Sequence, residues 1–526
     1  MFEPAHSRPA ALMPLLLALA AGGCQAASTA WPFATLPALA VLGIARGQPV
    51  WWLQSLSMAV LVLLLVRATS ARQAAWRGWL FGWAWLSMTF AWLFTSMHTY
   101  GGLHAVLAGL AVLLLAGALA VYYAAACWSF WPLAPMHKGL AAIVFGSLWL
   151  LAELARGQWL TGFGWGAVGY AHLDGPLQAL LGWVGMYGVT FAAALLAALL
   201  ATVLTAPARA DKVISLGLLL ALLGLPMALP ATGGTTQGEL SVTLLQGNIA
   251  QEEKFEPATG VLNALQWYGA QLQANDSALI ITPETAMPVL PEQLPAGYWQ
   301  ALQTRFAQGD QAALIGIPLG SFASGYTNSV VGFKPGQADF WRYDKHHLVP
   351  FGEFIPPMFR WFTDLMHIPL GDFSRGALPQ PTFDWQGQRL AATVCYENLY
   401  SNELATQFVD AAKAPTMLVN ISNLGWFGEH LAMDQHLQIA RTRSLEFDRP
   451  FLLATNTGQT AIVDHRGRIT HIAPAHTAVA LHGTVQGRTG LTPYAAWVAR
   501  FGLWPLWGTA LAIVLGAVLM RRKRVR

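Results

Sequence analysis

The stretch Leu390-Ala391-Ala392-Thr393-Val394-Cys395-Tyr396-Glu397-Asn398 decides how the second half of this chain is read. Its first five residues are apolar or β-branched and suit a buried strand. The run stops at a cysteine, with a tyrosine and a glutamate directly behind it. A strand that carries a thiol to its own C-terminal tip places a nucleophile at the mouth of a site. The chain has three cysteines. Cys24 and Cys127 lie in strongly apolar stretches, so Cys395 alone stands among groups able to activate it. Three cysteines without paired spacing argue against a disulfide framework or a zinc site.

Further short β-prone runs flank this one: Leu240–Gln246, Ala278–Thr282, Ala313–Ile317, Asn328–Phe333, Met417–Ile421, Phe451–Ala454 and Ala461–Asp464. Helical patterns over Val261–Gln273, Tyr298–Gln308 and Met433–Phe447 lie between several of them. Alternating β and α segments with buried strands indicate an α/β layered fold. Polar residues gather where the strands end. Glu284 follows one strand in Thr282-Pro283-Glu284-Thr285. Lys345, His346, His347 and Glu353 crowd the segment Tyr343–Glu353, which is too polar and too broken by Pro350 to be a helix. Asn420-Ile421-Ser422-Asn423-Leu424-Gly425-Trp426-Phe427-Gly428 forms a glycine-punctuated aromatic loop. Each has an ordinary alternative: a solvated Glu, a snorkelling Lys, a packing Cys. The adjacent histidines point different ways and lack ligand spacing, so no metal is expected. A Glu, a Lys and a Cys at separate strand ends in one domain are harder to dismiss.

Outward from this domain, the chain changes character. Of 526 residues, 55% are hydrophobic and only 11% are charged. Before Glu239 the acidic residues are Glu3, Glu153, Asp174 and Asp211, and no Asp, Glu, Lys or Arg occurs between Arg77 and Lys138. An unpaired charge at a bilayer centre costs roughly 2.5–3.5 kcal/mol even on mild scales, so such depletion suits lipid. The expected organisation is a helical membrane domain over 1–230, a linker at 231–237, a catalytic domain over 238–490, and a final span with a basic tail over 491–526.

Candidate spans are Val50–Val66, Gly78–Met97, Leu103–Tyr123, Gly139–Leu154, Pro176–Thr205, Val213–Pro230 and Phe501–Met520. The basic loops holding Arg67, Arg72 and Arg77, then Lys138, then Arg209 and Lys212, fall on one side if these spans alternate. The Arg521–Arg526 tail joins them, which makes that side cytoplasmic and places residues 231–500 outside it. The net charge of +4 therefore reads as a membrane anchor rather than nucleic-acid binding. Within Ala11–Ala45 one full crossing is expected. Ala21-Gly22-Gly23-Cys24 imitates a lipoprotein cleavage site, but Glu3 and Ala21 depart from that pattern, so a retained membrane segment is expected.

The Glu–Lys–Cys conjunction resembles the nitrilase, or carbon–nitrogen hydrolase, superfamily, and the flanking spans narrow the resemblance to the bacterial apolipoprotein N-acyltransferase family over essentially the whole chain. The strings that carry it are Leu245–Ile249, Pro283–Ala286, Lys345–Glu353, Cys395–Glu397, Asn420–Gly428, Thr489–Tyr494 and, in the membrane half, Leu160–Trp165 with Gly169-Tyr170. The resemblance implies an αββα sandwich beside a polytopic helical membrane domain. It implies Glu284 as general base, Lys345 as oxyanion stabiliser and Cys395 as nucleophile, with Glu353, Tyr396 and Glu397 in support. Trp426, Phe427, Phe163 and Trp165 would line an acyl entry or simply anchor at the interface.

The implied reaction moves an acyl chain from a phosphatidylethanolamine-type phospholipid to Cys395. The chain then passes to the α-amine of a diacylglyceryl apolipoprotein, with no cofactor, no metal and no nucleic acid, in a monomer at the bacterial inner membrane. Thr282, Phe255 and Leu424 depart from residues usual in the family. Two other readings compete: a membrane-anchored amidase using water as acceptor, and a transporter with a soluble accessory domain. The transporter would show intramembrane charges along a path. Glu153 and Arg156, at helical spacing near a span end, suit a local pair instead.

Overall fold

The computed structural model describes residues 8–37, 43–134, 137–230, 232–321, 323–356, 373–429 and 431–525. Residues 38–42 of the Ala11–Ala45 stretch, and Ala231 at the head of the 231–237 stretch, lie outside them. The chain divides into two compact units: residues 1–231, 429–438 and 501–526 in one, and residues 232–428 and 439–500 in the other.

The first unit is helical. Among the described residues, six of its helices are long and apolar enough to cross a membrane: Leu12–Thr29, Ala105–Leu133, Lys138–Thr161, Gln178–Thr205, Arg209–Ala228 and Trp504–Lys523. The helix Trp51–Val66 is apolar but shorter. The stretch expected to span Gly78–Met97 forms its helix earlier, over Ala71–Thr89. The Ser70 side chain caps that helix by accepting from the Gln73 N–H at 3.2 Å, so it starts within the basic segment. Arg72 and Arg77, expected in a loop, therefore lie on the helix, and Arg77 is buried and donates to the Leu64 carbonyl. Charge depletion marks the apolar run, whereas the helix start is set by the Ser70 cap within the charged segment. Glu153 and Arg156 form an ion pair at 2.7 Å with both side chains fully buried. Arg156 Nη1 also donates to the carbonyls of Phe163 and Trp165 at 2.6 and 2.9 Å.

The second unit carries two six-stranded sheets. In the first, β1 (Thr235–Gln246), β2 (Leu279–Ile281) and β3 (Ala312–Ser321) run parallel. β4 (Gly325–Phe333) and β5 (Trp341–Asp344) add on antiparallel. In the second, β6 (Phe383–Trp385) pairs antiparallel with β7 (Gln388–Val394), which runs parallel to β8 (Met417–Ser422) and β9 (Phe451–Thr455). β10 (Ala461–Val463) and β11 (Ile469–Ile472) complete that sheet. β12 (Val479–Thr489) closes the first sheet beside β1.

The central strands β2 and β8 are buried along their whole length, which explains their unbroken apolar runs without alternation. Helices Leu262–Ala274 and Tyr298–Gln308 cover the first sheet. Leu265, Tyr268, Leu302 and Phe306 pack there with Ile280, Ile315 and Val331 into one core. β1 begins at Thr235, inside the stretch read as linker, because β12 pairs with it from Thr489 onward.

Candidate active site

Side chains from both sheets meet at strand ends. Glu284 stands just past β2, Lys345 just past β5 and Cys395 just past β7. Glu284, Lys345 and Cys395 are 7%, 1% and 8% exposed. The structure therefore brings the three expected residues into one buried polar cluster. Lys345 Nζ lies 2.8 Å from Glu353 Oε1 and 3.4 Å from Glu284 Oε1. Burial works to lower the Lys345 pKa, but Glu353, Glu284 and Cys395 together raise it, and the net shift is upward. Its ammonium is held charged.

Two residues that sequence reasoning left out order the carboxylates. Asn328 Nδ2, on β4, donates to Glu284 Oε1 at 2.7 Å and to Glu353 Oε1 at 2.8 Å. The Asn423 N–H, just after β8, donates to Glu284 Oε2 at 2.9 Å. The remaining Glu353 oxygen accepts from the Val349 N–H at 2.8 Å. A signal for Asn328 was present: Thr327-Asn328-Ser329 is a polar triplet inside an otherwise apolar strand. The backbone of the Glu284 loop is set by Gly316 on β3. A Cβ at Gly316 would sit 2.2 Å from the Pro283 carbonyl oxygen and 3.0 Å from Glu284 Cα. The Gly316 N–H donates to the Thr282 hydroxyl at 3.0 Å, so the threonine that departs from the family pattern has a structural task here.

Cys395 opens a short 3-10 turn, Cys395–Leu399, and has φ of 56°. That left-handed conformation is costly for a residue with a Cβ, and its neighbours must hold it. Its carbonyl accepts from Asn420 Nδ2 at 2.8 Å. Glu397 binds the turn to the Lys345 segment. Its Oε1 accepts from the His346 and His347 N–H groups at 2.7 and 3.0 Å; its Oε2 accepts from the Val394 N–H at 2.6 Å and the Tyr343 hydroxyl at 2.9 Å. Burial still pushes the Glu397 carboxyl up to about 7, against those N–H donors. Tyr396 donates to the Leu348 carbonyl at 2.6 Å and places its ring 5.7 Å from Lys345 Nζ.

Burial also pushes the Cys395 thiol up, and Glu284 adds to the shift, while Lys345 and the Tyr396 N–H pull it down. The net direction is upward, so the resting group is a thiol that requires a base. The pull of Lys345 toward thiolate is present and is outweighed.

The histidines take structural partners. His346 Nδ1 meets the Gly376 carbonyl at 2.7 Å, while His347 Nδ1 meets Glu403 at 2.9 Å and its ring stacks on Tyr400. Trp426 and Phe427 form a 3-10 turn over Leu424–Phe427 in the same unit, with Trp426 38% exposed. Leu424 is buried and Phe255 is exposed. Phe163 and Trp165 belong to the helical unit. Trp165 is buried there, its Nε1 donating to Gln435 Oε1 at 2.7 Å, and Phe163 packs on Phe90.

An ammonium between two carboxylates, beside a thiol at a strand tip, can carry proton transfer, nucleophilic attack at an acyl carbon and stabilisation of the resulting oxyanion. Residues 36–199 match the family model of the apolipoprotein N-acyltransferase N-terminal domain, and residues 241–494 match that of carbon-nitrogen hydrolase. An apolipoprotein N-acyltransferase of Verminephrobacter eiseniae is 51% identical, with 95% of each chain covered. One from Ralstonia nicotianae is 42% identical, with 90% of each chain covered. Among solved structures, Saccharomyces cerevisiae Nit3, a member of branch 10 of the nitrilase superfamily, aligns with 50% of this chain and 94% of its own at 16% identity and a TM-score of 0.35. With relatives 51% and 42% identical over at least 90% of the chain, through both its helical and its α/β parts, the chain belongs to the apolipoprotein N-acyltransferase family.

Proposed function

We propose that this protein transfers a fatty acyl chain from a membrane phospholipid to the N-terminal amine of a lipidated apolipoprotein, through a thioester on Cys395. The observation that carries this reading is the placement of Lys345 Nζ between Glu284 and Glu353, in the same buried cluster as a strand-tip cysteine. In the first step Glu284 takes the Cys395 proton as Sγ attacks the ester carbonyl carbon. The negative charge that develops on the carbonyl oxygen faces Lys345, and the Tyr396 N–H is a second donor. The ester C–O bond breaks, the leaving alkoxide takes the proton from Glu284, and a lysophospholipid departs.

In the second step the free α-amine of a diacylglyceryl-cysteine attacks the thioester. Its surplus proton passes through Glu284 to the departing sulfur, the C–S bond breaks and an amide forms. Glu353 holds Lys345, and Glu397 and Tyr396 hold the turn beneath the nucleophile. No cofactor takes part. The donor is of the phosphatidylethanolamine type, and Trp426 and Phe427 present an apolar surface suited to its chain. Six helices long and apolar enough to span a membrane support an inner-membrane protein. The distribution of basic loops supports a cytoplasmic C-terminus and a periplasmic α/β unit, with a monomer as the working form.

Purified protein incubated with acyl-labelled phosphatidylethanolamine should form a hydroxylamine-sensitive adduct that Cys395→Ala lacks. An adduct that survives Cys395→Ala would refute the assignment. An adduct released only to water, never to a diacylated lipopeptide amine, would favour an amidase.

A further inference from the structure

A second lysine in the α/β unit is buried and has no part in the steps above. Lys254 is 2% exposed, and its Nζ donates to the backbone carbonyl of Glu284 at 3.0 Å. It sits in the turn that follows β1, where the close approach of Gly260 fixes its backbone. A Cβ at Gly260 would stand 1.9 Å from the Glu253 carbonyl oxygen and 2.8 Å from the Lys254 nitrogen. The same turn reaches Glu284 from its other side. Gln251 Oε1 accepts from Asn423 Nδ2 at 2.7 Å, and it is the Asn423 N–H that donates to Glu284 Oε2.

The geometry points to Lys254 as a positioning residue for the general base: it clamps the Glu284 main chain and supplies the second positive charge that balances the two buried carboxylates. With Lys345 alone against Glu284 and Glu353 the cluster would carry a net negative charge before any thiolate forms, and a buried unbalanced charge is costly. Two ammonium groups bring the set to neutrality. The groups that face Glu284 are Lys254, Lys345, Glu353 and Cys395, with Asn328 and the Asn423 N–H as neutral donors. Tyr396 and Glu397 stand behind Cys395 and are engaged with backbone and Tyr343. Burial lowers the Lys254 pKa to about 8, with Glu284 and Cys395 pulling it upward, so the charge is present at neutral pH and is lost in mildly alkaline solution.

This inference rests on the proposed role of Glu284, and the test separates the two. The rate of acyl-adduct formation by the full-length protein in detergent is followed against pH at saturating phospholipid. Lys254→Met should lower the plateau about tenfold or more and move the acidic limb of the profile upward by about one pH unit, because the buried cluster loses a positive charge. Lys254→Arg keeps a charge at all these pH values. It should leave the acidic limb in place and remove the fall in rate expected of the parent above about pH 8, where Lys254 loses its proton. A purely structural lysine would lower the rate and the melting temperature of Lys254→Met without moving either limb, and that result overturns the inference. So does an Arg variant whose acidic limb moves as in Lys254→Met. If Glu284→Gln forms the adduct at the parent rate, the base assignment falls and this inference with it. If Glu284→Gln is inactive and Lys254→Met keeps the parent profile, this inference alone falls.

Discussion

In the helical unit, Arg156 meets Glu153 at 2.7 Å, three residues apart on one helix. In the α/β unit, Lys345 meets Glu353 at 2.8 Å and Glu284 at 3.4 Å, across segments far apart in sequence. Both clusters are buried, and distance alone does not separate them. Their wiring does. The Arg156 guanidinium spends its other contacts on the carbonyls of Phe163 and Trp165, tying down a loop. The Lys345 ammonium is instead surrounded by groups that can take or give a proton. A local pair organises its own neighbourhood; a pair assembled from distant strands specifies a place where the chain must converge, and there the thiol stands.

Breaking one partner of each cluster should separate these roles. The largest loss of stability is expected from Glu153→Ala, which strands Arg156 in the interior at a cost of about 3–5 kcal/mol. Replacing both Glu153 and Arg156 by Leu should recover part of that loss. Thermal unfolding in detergent measures this, and the folded fraction should still acylate Cys395. Lys345→Ala is expected to raise the acylation barrier by about 3 kcal/mol, read as a loss of adduct-forming rate on the order of a hundredfold. Near-parental rates would end the comparison in favour of two structural pairs. Gly316→Ala should displace the Glu284 loop through its clash with the Pro283 carbonyl, costing about 1–3 kcal/mol and slowing acylation without altering any charged group.

The smallest effect concerns Glu397. Its carboxyl is raised from 4.5 to about 7 by burial, so the folded state binds the proton more tightly than the unfolded chain. Stability contributed by this group is therefore present below about pH 4.5 and lost as pH rises to about 7. Glu397→Gln should remove that slope from the dependence of melting temperature on pH. It should also weaken the Cys395 turn, since an amide nitrogen cannot accept from the Val394 N–H and Tyr343 hydroxyl.

The strands that carry Cys395 and Glu284 were legible because they are buried on both faces and so read as continuous apolar runs. The helix Tyr298–Gln308 was legible to the residue. β12 was not: it is an edge strand with two glycines and a mixed pattern of exposure, and only its pairing with β1 makes it a strand. Glu284, Lys345 and Cys395, the proposed triad, were legible as residue types at strand ends. The groups that orient them were not, because Asn328, Asn423 and Lys254 act through a single amide, a backbone N–H and a contact to a carbonyl. None of these leaves a spacing in the sequence. Trp165, expected to line an acyl entry or to anchor at the interface, has its indole buried against Gln435, a placement that the glycine-rich loop beside it does not announce.

Under the proposed chemistry, the hydrogen-bond donors around Glu284 also bear on where a proton can go. Its Oε1 already receives Asn328 and Lys345, which occupies both lone pairs, whereas among the described residues its Oε2 receives only the Asn423 N–H. A proton taken by Glu284 as proposed thus has one address, the free lone pair of Oε2, in both acyl transfers. The same lone pair would collect it from the thiol, hold it while the leaving group parts, and collect again from the amine. The sulfur would thus lose its proton to this relay in the first transfer and regain one from it in the second, with the alkoxide and the amine at the relay's other end.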